Sequence, residues 1–94
     1  MLRHVVLLRF TSPEAVAPVV EALRALPPKV PSIRAYSVGT DLGLAPDNAH
    51  VSVIAEFEDE AGHAEYRDHP EHVKVIDELI KPNLEWRSAT QHRI

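Results

Sequence analysis

A two-layer α+β fold, in the order strand–helix–strand–strand–helix–strand, is predicted by three features of this sequence. Its apolar segments switch between strand-like runs and helical spacing in that order. Prolines and polar clusters fall between the segments rather than inside them, with one exception. A chain of 94 residues has material for only one core, so residues 1–94 are read as a single domain whose segments share it.

The first strand runs from Leu2 to Phe10. Val5, Val6, Leu7 and Leu8 are apolar without alternation, as in a central strand covered on both faces. Alternate side chains place His4, Val6, Leu8 and Phe10 on one face and Arg3, Val5, Leu7 and Arg9 on the other. Ser12-Pro13-Glu14 reads as a helix start: a capping hydroxyl, a proline at the first position and a carboxylate near the positive end. Val16, Val19, Val20, Leu23 and Leu26 follow at helical spacing as one apolar stripe. Pro18 is the exception, since an interior proline costs about 3 kcal/mol. Either the helix begins near Ala17 or its first turn is kinked.

Pro27-Pro28 closes that helix, and Ile33 to Gly39 reads as the second strand. Thr40 to Asn48, with Asp41, Gly43, Pro46 and Asp47, is a hairpin-type connection. The third strand, Ala49 to Phe57, sets Val51, Val53, Ala55 and Phe57 on one face and His50, Ser52, Ile54 and Glu56 on the other. Glu58 to Asp68 is a short helical stretch with an acidic start. Asp68-His69-Pro70-Glu71 restarts a helix, with Pro70 at its first position and Val73, Ile76, Leu79 and Ile80 as its buried stripe. Pro82 stops it, and Leu84 to about Gln91 is the fourth strand.

This order is the ferredoxin-like βαββαβ arrangement. Right-handed crossovers put the first and third strands in the middle of a four-stranded antiparallel sheet with helices on one face. The other face is left bare, carrying Val5, Leu7, Ile54 and Tyr36. Exposed apolar surface of that extent marks an interface. A homodimer joined through the helix-free sheet face is therefore expected.

Composition removes several functions. The net charge of −4 excludes a basic face for nucleic acid. Without cysteine there is no disulfide, thiolate nucleophile or cysteine-held metal, and three glycines are too few for a phosphate-cradling loop. The first apolar run ends at Arg9, far short of the ~20 residues that span a membrane. No membrane partner and no cofactor are expected, and the setting is read as cytoplasmic.

Histidine carries the remaining signal. There are six, and they are the side chains that titrate near neutrality unaided. His69 and His72 lie three apart at a helix start, in the cluster Tyr66-Arg67-Asp68-His69-Pro70-Glu71-His72. With His63 or Glu71 they form a metal-binding alternative, but nothing in the spacing fixes a third ligand. The acid–base alternative sets His72 as the proton acceptor and Tyr66 as the group holding a carbonyl or enolate oxygen. His4, on the helix-facing side of a central strand, lines the same space. Each of these residues also has a bland role: His69 as a helix cap, and His4 as a hydrogen-bonded core residue.

The opening Arg3-His4-Val5-Val6-Leu7-Leu8-Arg9-Phe10, the Ser37-Val38-Gly39 strand end, and Phe57-Glu58-Asp59 leading to Tyr66-Arg67-Asp68-His69-Pro70-Glu71-His72 resemble the stress-responsive dimeric α/β-barrel (Dabb) domain. The resemblance runs from Leu2 to about Gln91. It implies a ferredoxin-like protomer and a dimer whose two sheets close into an α/β barrel. It also implies a small dimeric protein that binds an apolar small molecule on the helix side. The ligand-contact residues are then His4, Val6, Leu8, Val53, Ala55 and His69. One plant member closes a linear polyketide by intramolecular aldol condensation, and its catalytic tyrosine and histidine resemble Tyr66 and His72. The alternative it implies is a cofactor-independent, polyketide cyclase-like lyase or small monooxygenase using those two residues. Small side chains at Ala55, Ser88 and Ala89 reshape such a pocket, so the substrate does not carry over.

Overall fold

Strand β1, Leu2–Phe10, is the spine of the sheet. It pairs antiparallel with β3, Val51–Phe57, on one side and with β4, Leu84–Arg93, on the other. Strand β2, Ala35–Thr40, completes the order β2-β3-β1-β4, which sets the first and third strands at the centre as the sequence predicts. The coordinates are those of a computed structural model describing all residues from Met1 to Ile94. Residues opposite each other in the ladder point to the same face. On the helix side, His4 therefore stands between Ala55 and Gln91, Val6 between Val53 and Ala89, and Leu8 between Val51 and Arg87.

A 3₁₀ turn over Pro13–Ala15 leads into helix α1, Val16–Arg24. Pro18 thus falls in the first turn of the α-helix. Backbone N–H groups there have no partner within the helix, so the proline removes little. Ser12 does not cap the backbone; its hydroxyl donates to the Glu14 carboxylate instead. Val19, Val20 and Leu23 of α1 face the sheet. Helix α2, Glu60–Asp68, starts at Asp59, whose carboxylate accepts the Gly62 N–H at 2.9 Å. Helix α3, Pro70–Val75, widens into a π-helical turn over Ile76–Ile80 and ends in a 3₁₀ turn over Lys81–Asn83. No helix is long and apolar enough to cross a membrane.

The core lies between helices and sheet, with Phe10, Phe57, Leu23, Leu26, Val19, Val30 and Val51 essentially sealed. Each large apolar side chain so buried contributes about 1.5–3 kcal/mol. Two residues depart from the sequence reading. Val73, expected in the buried stripe of α3, is 39% exposed, because the sheet-facing positions belong to His72 and Val75. One residue along from His72 turns the side chain through about 100°. Tyr36, expected on the bare face, lies opposite Ala55 and turns under the helices, where its hydroxyl meets that of Tyr66. The bare face is instead formed by Val5, Leu7, Ile54 and Trp86.

Strand β4 stands apart. Beyond Leu84 every residue in it is exposed, including Arg87, Ala89 and Gln91 on the helix side. The helices cover three strands and stop short of the fourth. At the opposite edge, the β2–β3 connection is tied by Asp41, whose carboxylate accepts from the Gly43 N–H at 2.9 Å and the Asn48 amide at 3.2 Å. Gly43 there has a φ of 78°, a left-handed conformation that favours glycine.

Candidate functional site

The missing helical cover over β4 leaves a cavity of about 420 Å³ between α2, α3 and the sheet. Its floor is His4, Val6, Leu8 and Val53; Tyr66 and His72 form one wall, and Arg87 and Gln91 stand on the β4 side. That volume lies within the range of small-molecule sites.

The α2–α3 junction builds the wall. A residue preceding proline is pushed out of the helical region, and His69 is extended with φ −62° and ψ 133°. The helix breaks there and restarts at a new angle. The break brings the Tyr66 and His72 rings face to face, with centroids 4.1 Å apart and planes 29° from parallel. It also aims the ring of His72 back at the end of α2, where its Nδ1–H donates to the Arg67 carbonyl at 3.1 Å.

That hydrogen bond settles the tautomer: a carbonyl only accepts, so the proton sits on Nδ1 and the Nε2 lone pair is free. Burial lowers the His72 pKa, opposed by its backbone hydrogen bonds and aided by the charge of Arg87 and by His63. His4 is held in the converse way. The Gln91 amide Nε2 donates to its Nδ1 at 2.8 Å, which leaves the proton on Nε2. Burial, with smaller contributions from His63, Arg87 and His72, pulls its pKa down to about 4. Burial raises the Tyr66 pKa, so its phenol stays protonated, and its hydroxyl lies 2.9 Å from that of Tyr36. The neutral imidazoles of His4 and His72 and the Tyr66 phenol therefore line one cavity, and Tyr36, outside the lining, meets that phenol through its hydroxyl.

His63, Arg87 and Gln91 line this cavity and were not assigned to it by the sequence reading, and Tyr36 braces Tyr66 from outside the lining. The His63 ring lies 4.7 Å from His4 and edge-on to Phe57 at 5.7 Å, and burial lowers its pKa. The signal was present, since His63 is three residues before Tyr66 and so on the same face of α2. Tyr36 was misplaced by one strand position.

Two of the sequence-selected contact residues lie outside the cavity. His69 uses its Nδ1 to accept the Glu71 N–H at 3.1 Å, capping α3 as in its bland reading. Ala55 is sealed between Tyr36 and His4 in the ladder, and its methyl group is too short to reach past them. No three histidine, aspartate or glutamate side chains converge as a metal site, and the Nδ1 atoms of His69 and His72 are engaged by different backbone groups. The chemistry this arrangement can perform is proton transfer: an unprotonated nitrogen on one ring of the cavity wall and a hydroxyl on the ring stacked against it, over a largely apolar floor.

The sequence matches the Stress responsive A/B Barrel Domain (Dabb) over residues 2–91. The chain belongs to the Dabb family. Among solved structures, this Dabb protein is similar to a dimeric ferredoxin-like protein of unknown function from Thermobifida fusca. The two are 36% identical with a TM-score of 0.87, over 99% of this chain and 90% of that one. A dimeric protein with a ferredoxin-like fold from Bacteroides fragilis is 25% identical, with a TM-score of 0.82 over 99% and 95% of the two chains. A hydroxynitrile lyase from Passiflora edulis shares the fold at 20% identity, with a TM-score of 0.81 over 99% of this chain and 92% of the lyase. No curated protein matches the Dabb chain.

Proposed function

We propose that this Dabb protein acts as a homodimer that takes a small, largely apolar carbonyl compound into the helix-side cavity and moves a proton on it without a cofactor. The observation that carries the reading is the hydrogen bond that fixes the His72 tautomer with Nε2 free, on a ring stacked 4.1 Å from that of Tyr66 in the cavity wall. Nε2 takes a proton from the carbon next to the carbonyl, and the electron pair of that C–H bond moves into the enolate. The Tyr66 O–H donates a hydrogen bond to the oxygen as its charge grows. His72, now an imidazolium, returns the proton to carbon or, in an aldol closure, to the new alkoxide. Val6, Leu8 and Val53 shield the reacting carbon from water, and the His4 Nε2–H is a second donor for the ligand. The dimer is supported by the bare apolar sheet face and by similar proteins described as dimeric.

The test is deuterium exchange at the α-carbon of an alkyl aryl ketone in heavy water, followed by proton NMR. Wild-type protein accelerates the exchange, and His72→Ala lowers the catalysed rate about 10²-fold or more while the fold is retained. Catalysed exchange that survives in His72→Ala removes this residue from the chemistry. Ligand shifts with no exchange in wild type leave a binding role alone.

A further inference from the structure

The cavity is lined by three cations and one carboxylate, in a protein whose net charge is −4. Two of the cations are already answered. Arg67 is held by both oxygens of Asp68 at 2.9 Å, and Lys81 is paired with Asp77, the lining carboxylate, at 3.3 Å. Arg87 has no ion pair and no side-chain hydrogen bond to the protein, unlike Arg3, Arg9, Arg24, Arg34 and Arg93. It is anchored on β4 directly opposite Leu8, on the helix side, where the ladder fixes its direction into the cavity.

We propose that Arg87 is the anion-recognition residue of the cavity, and that the ligand is an amphipathic carboxylate whose apolar body lies on Val6, Leu8 and Val53. The proposal rests on the cavity reading above and adds the ligand's charge class. A guanidinium offers two parallel N–H donors that match a carboxylate, and an unpaired one at the edge of an apolar space favours a carboxylate over neutral ligands. The other polar lining groups suit the same ligand. His4 and Gln91 hydrogen-bond each other, and His72 is neutral, so none of them competes for the carboxylate with a charge of its own. The positive charge of Arg87 reaches the rings of His4, His63, Tyr66 and His72, which places it within range of negative charge developing on a bound enolate.

The test compares two matched probes, 4-butylbenzoate and 4-butylbenzamide, by NMR titration of the full chain, with the ring signals of Tyr66 and His72 reporting occupancy of the cavity. Wild type should bind the benzoate about tenfold or more tightly than the amide, as a hydrogen-bonded charge contact implies. That preference should weaken as salt is raised. Arg87→Gln should bring benzoate binding down to the level of the amide, and Arg87→Lys should restore part of the preference. Amide and benzoate binding equally in wild type, or a benzoate preference that persists in Arg87→Gln, overturns the role of Arg87 and leaves the cavity reading standing. Failure of both probes to move the Tyr66 and His72 signals overturns both.

Discussion

On one face of β1, His4, Val6, Leu8 and Phe10 are 2–7% exposed, while on the other Leu7 is 40% exposed with Val5 half-buried beside it. The two sets alternate along a single nine-residue strand, and Val5 and Leu7 at the centre of the second are as apolar as Val6 and Leu8 of the first. What separates them is coverage. The helices of the same chain close the first face, and nothing in the protomer closes the second. The closed face also admits polar groups: His4 is buried there because Gln91 satisfies its ring nitrogen at 2.8 Å. The open face has no such devices. Leu7, Ile54 and Trp86 share it with ion pairs at Arg3–Glu56 and Arg9–Glu85, an apolar centre with a charged surround suited to a second copy.

Perturbing each face separates the two modes of closure, and the largest stability effect belongs to the helix side. Phe57→Ala removes a fully buried ring that packs against Tyr66 and His63, and should lower unfolding stability by about 3–5 kcal/mol in urea titrations. A loss below about 1 kcal/mol would show that this face is not a sealed core.

A smaller effect on the same face comes from pH. The pKa of His4 falls from 6.5 to about 4 on folding, so the unfolded chain binds more protons between those values. Stability is therefore full above pH 6.5 and declines as pH drops towards 4. His63 and His72 add in the same direction, since burial lowers both. After screening by nearby solvent, the His4 share is on the order of 2 kcal/mol. His4→Gln should flatten this slope in denaturation curves between pH 7 and 4; an unchanged slope would assign it to other groups.

The smallest effect on the protomer comes from the open face, and it sharpens the contrast. Leu7→Glu should change the intrinsic stability of the protomer by less than about 1 kcal/mol, because the side chain is already partly in water. Yet it should halve the mass seen by light scattering, since two opposed carboxylates cannot be buried together. A dimer of unchanged mass would rule out closure through this face.

The placement of the candidate site residues was legible in part. Tyr66, His72 and His4 come together at the cavity because the break at His69-Pro70 and the alternation along β1 are local rules that proline and the strand pleat enforce. His69 illustrates the opposite case, in which one side chain serves equally well as ligand contact or helix cap, and only the 3.1 Å bond to Glu71 N–H chooses. Tyr36 shows how little separates right from wrong in a strand, since one position of register exchanges the two faces. Ala55 was on the right face and still fell outside the cavity, because depth depends on the neighbours that cover it.

By itself the sequence determined the element order, the central placement of β1 and β3, the helix junction at Pro70 and the inward row of β1. Each of these follows from periodicity, proline geometry and crossover handedness, which act over a few residues or on connectivity alone. The tertiary structure decided that the helices stop short of β4, that a cavity opens there, and that His63, Tyr36, Arg87 and Gln91 border or brace it. Those outcomes depend on where residues some 20 to 90 positions apart come to rest, and they are fixed by packing the whole chain at once.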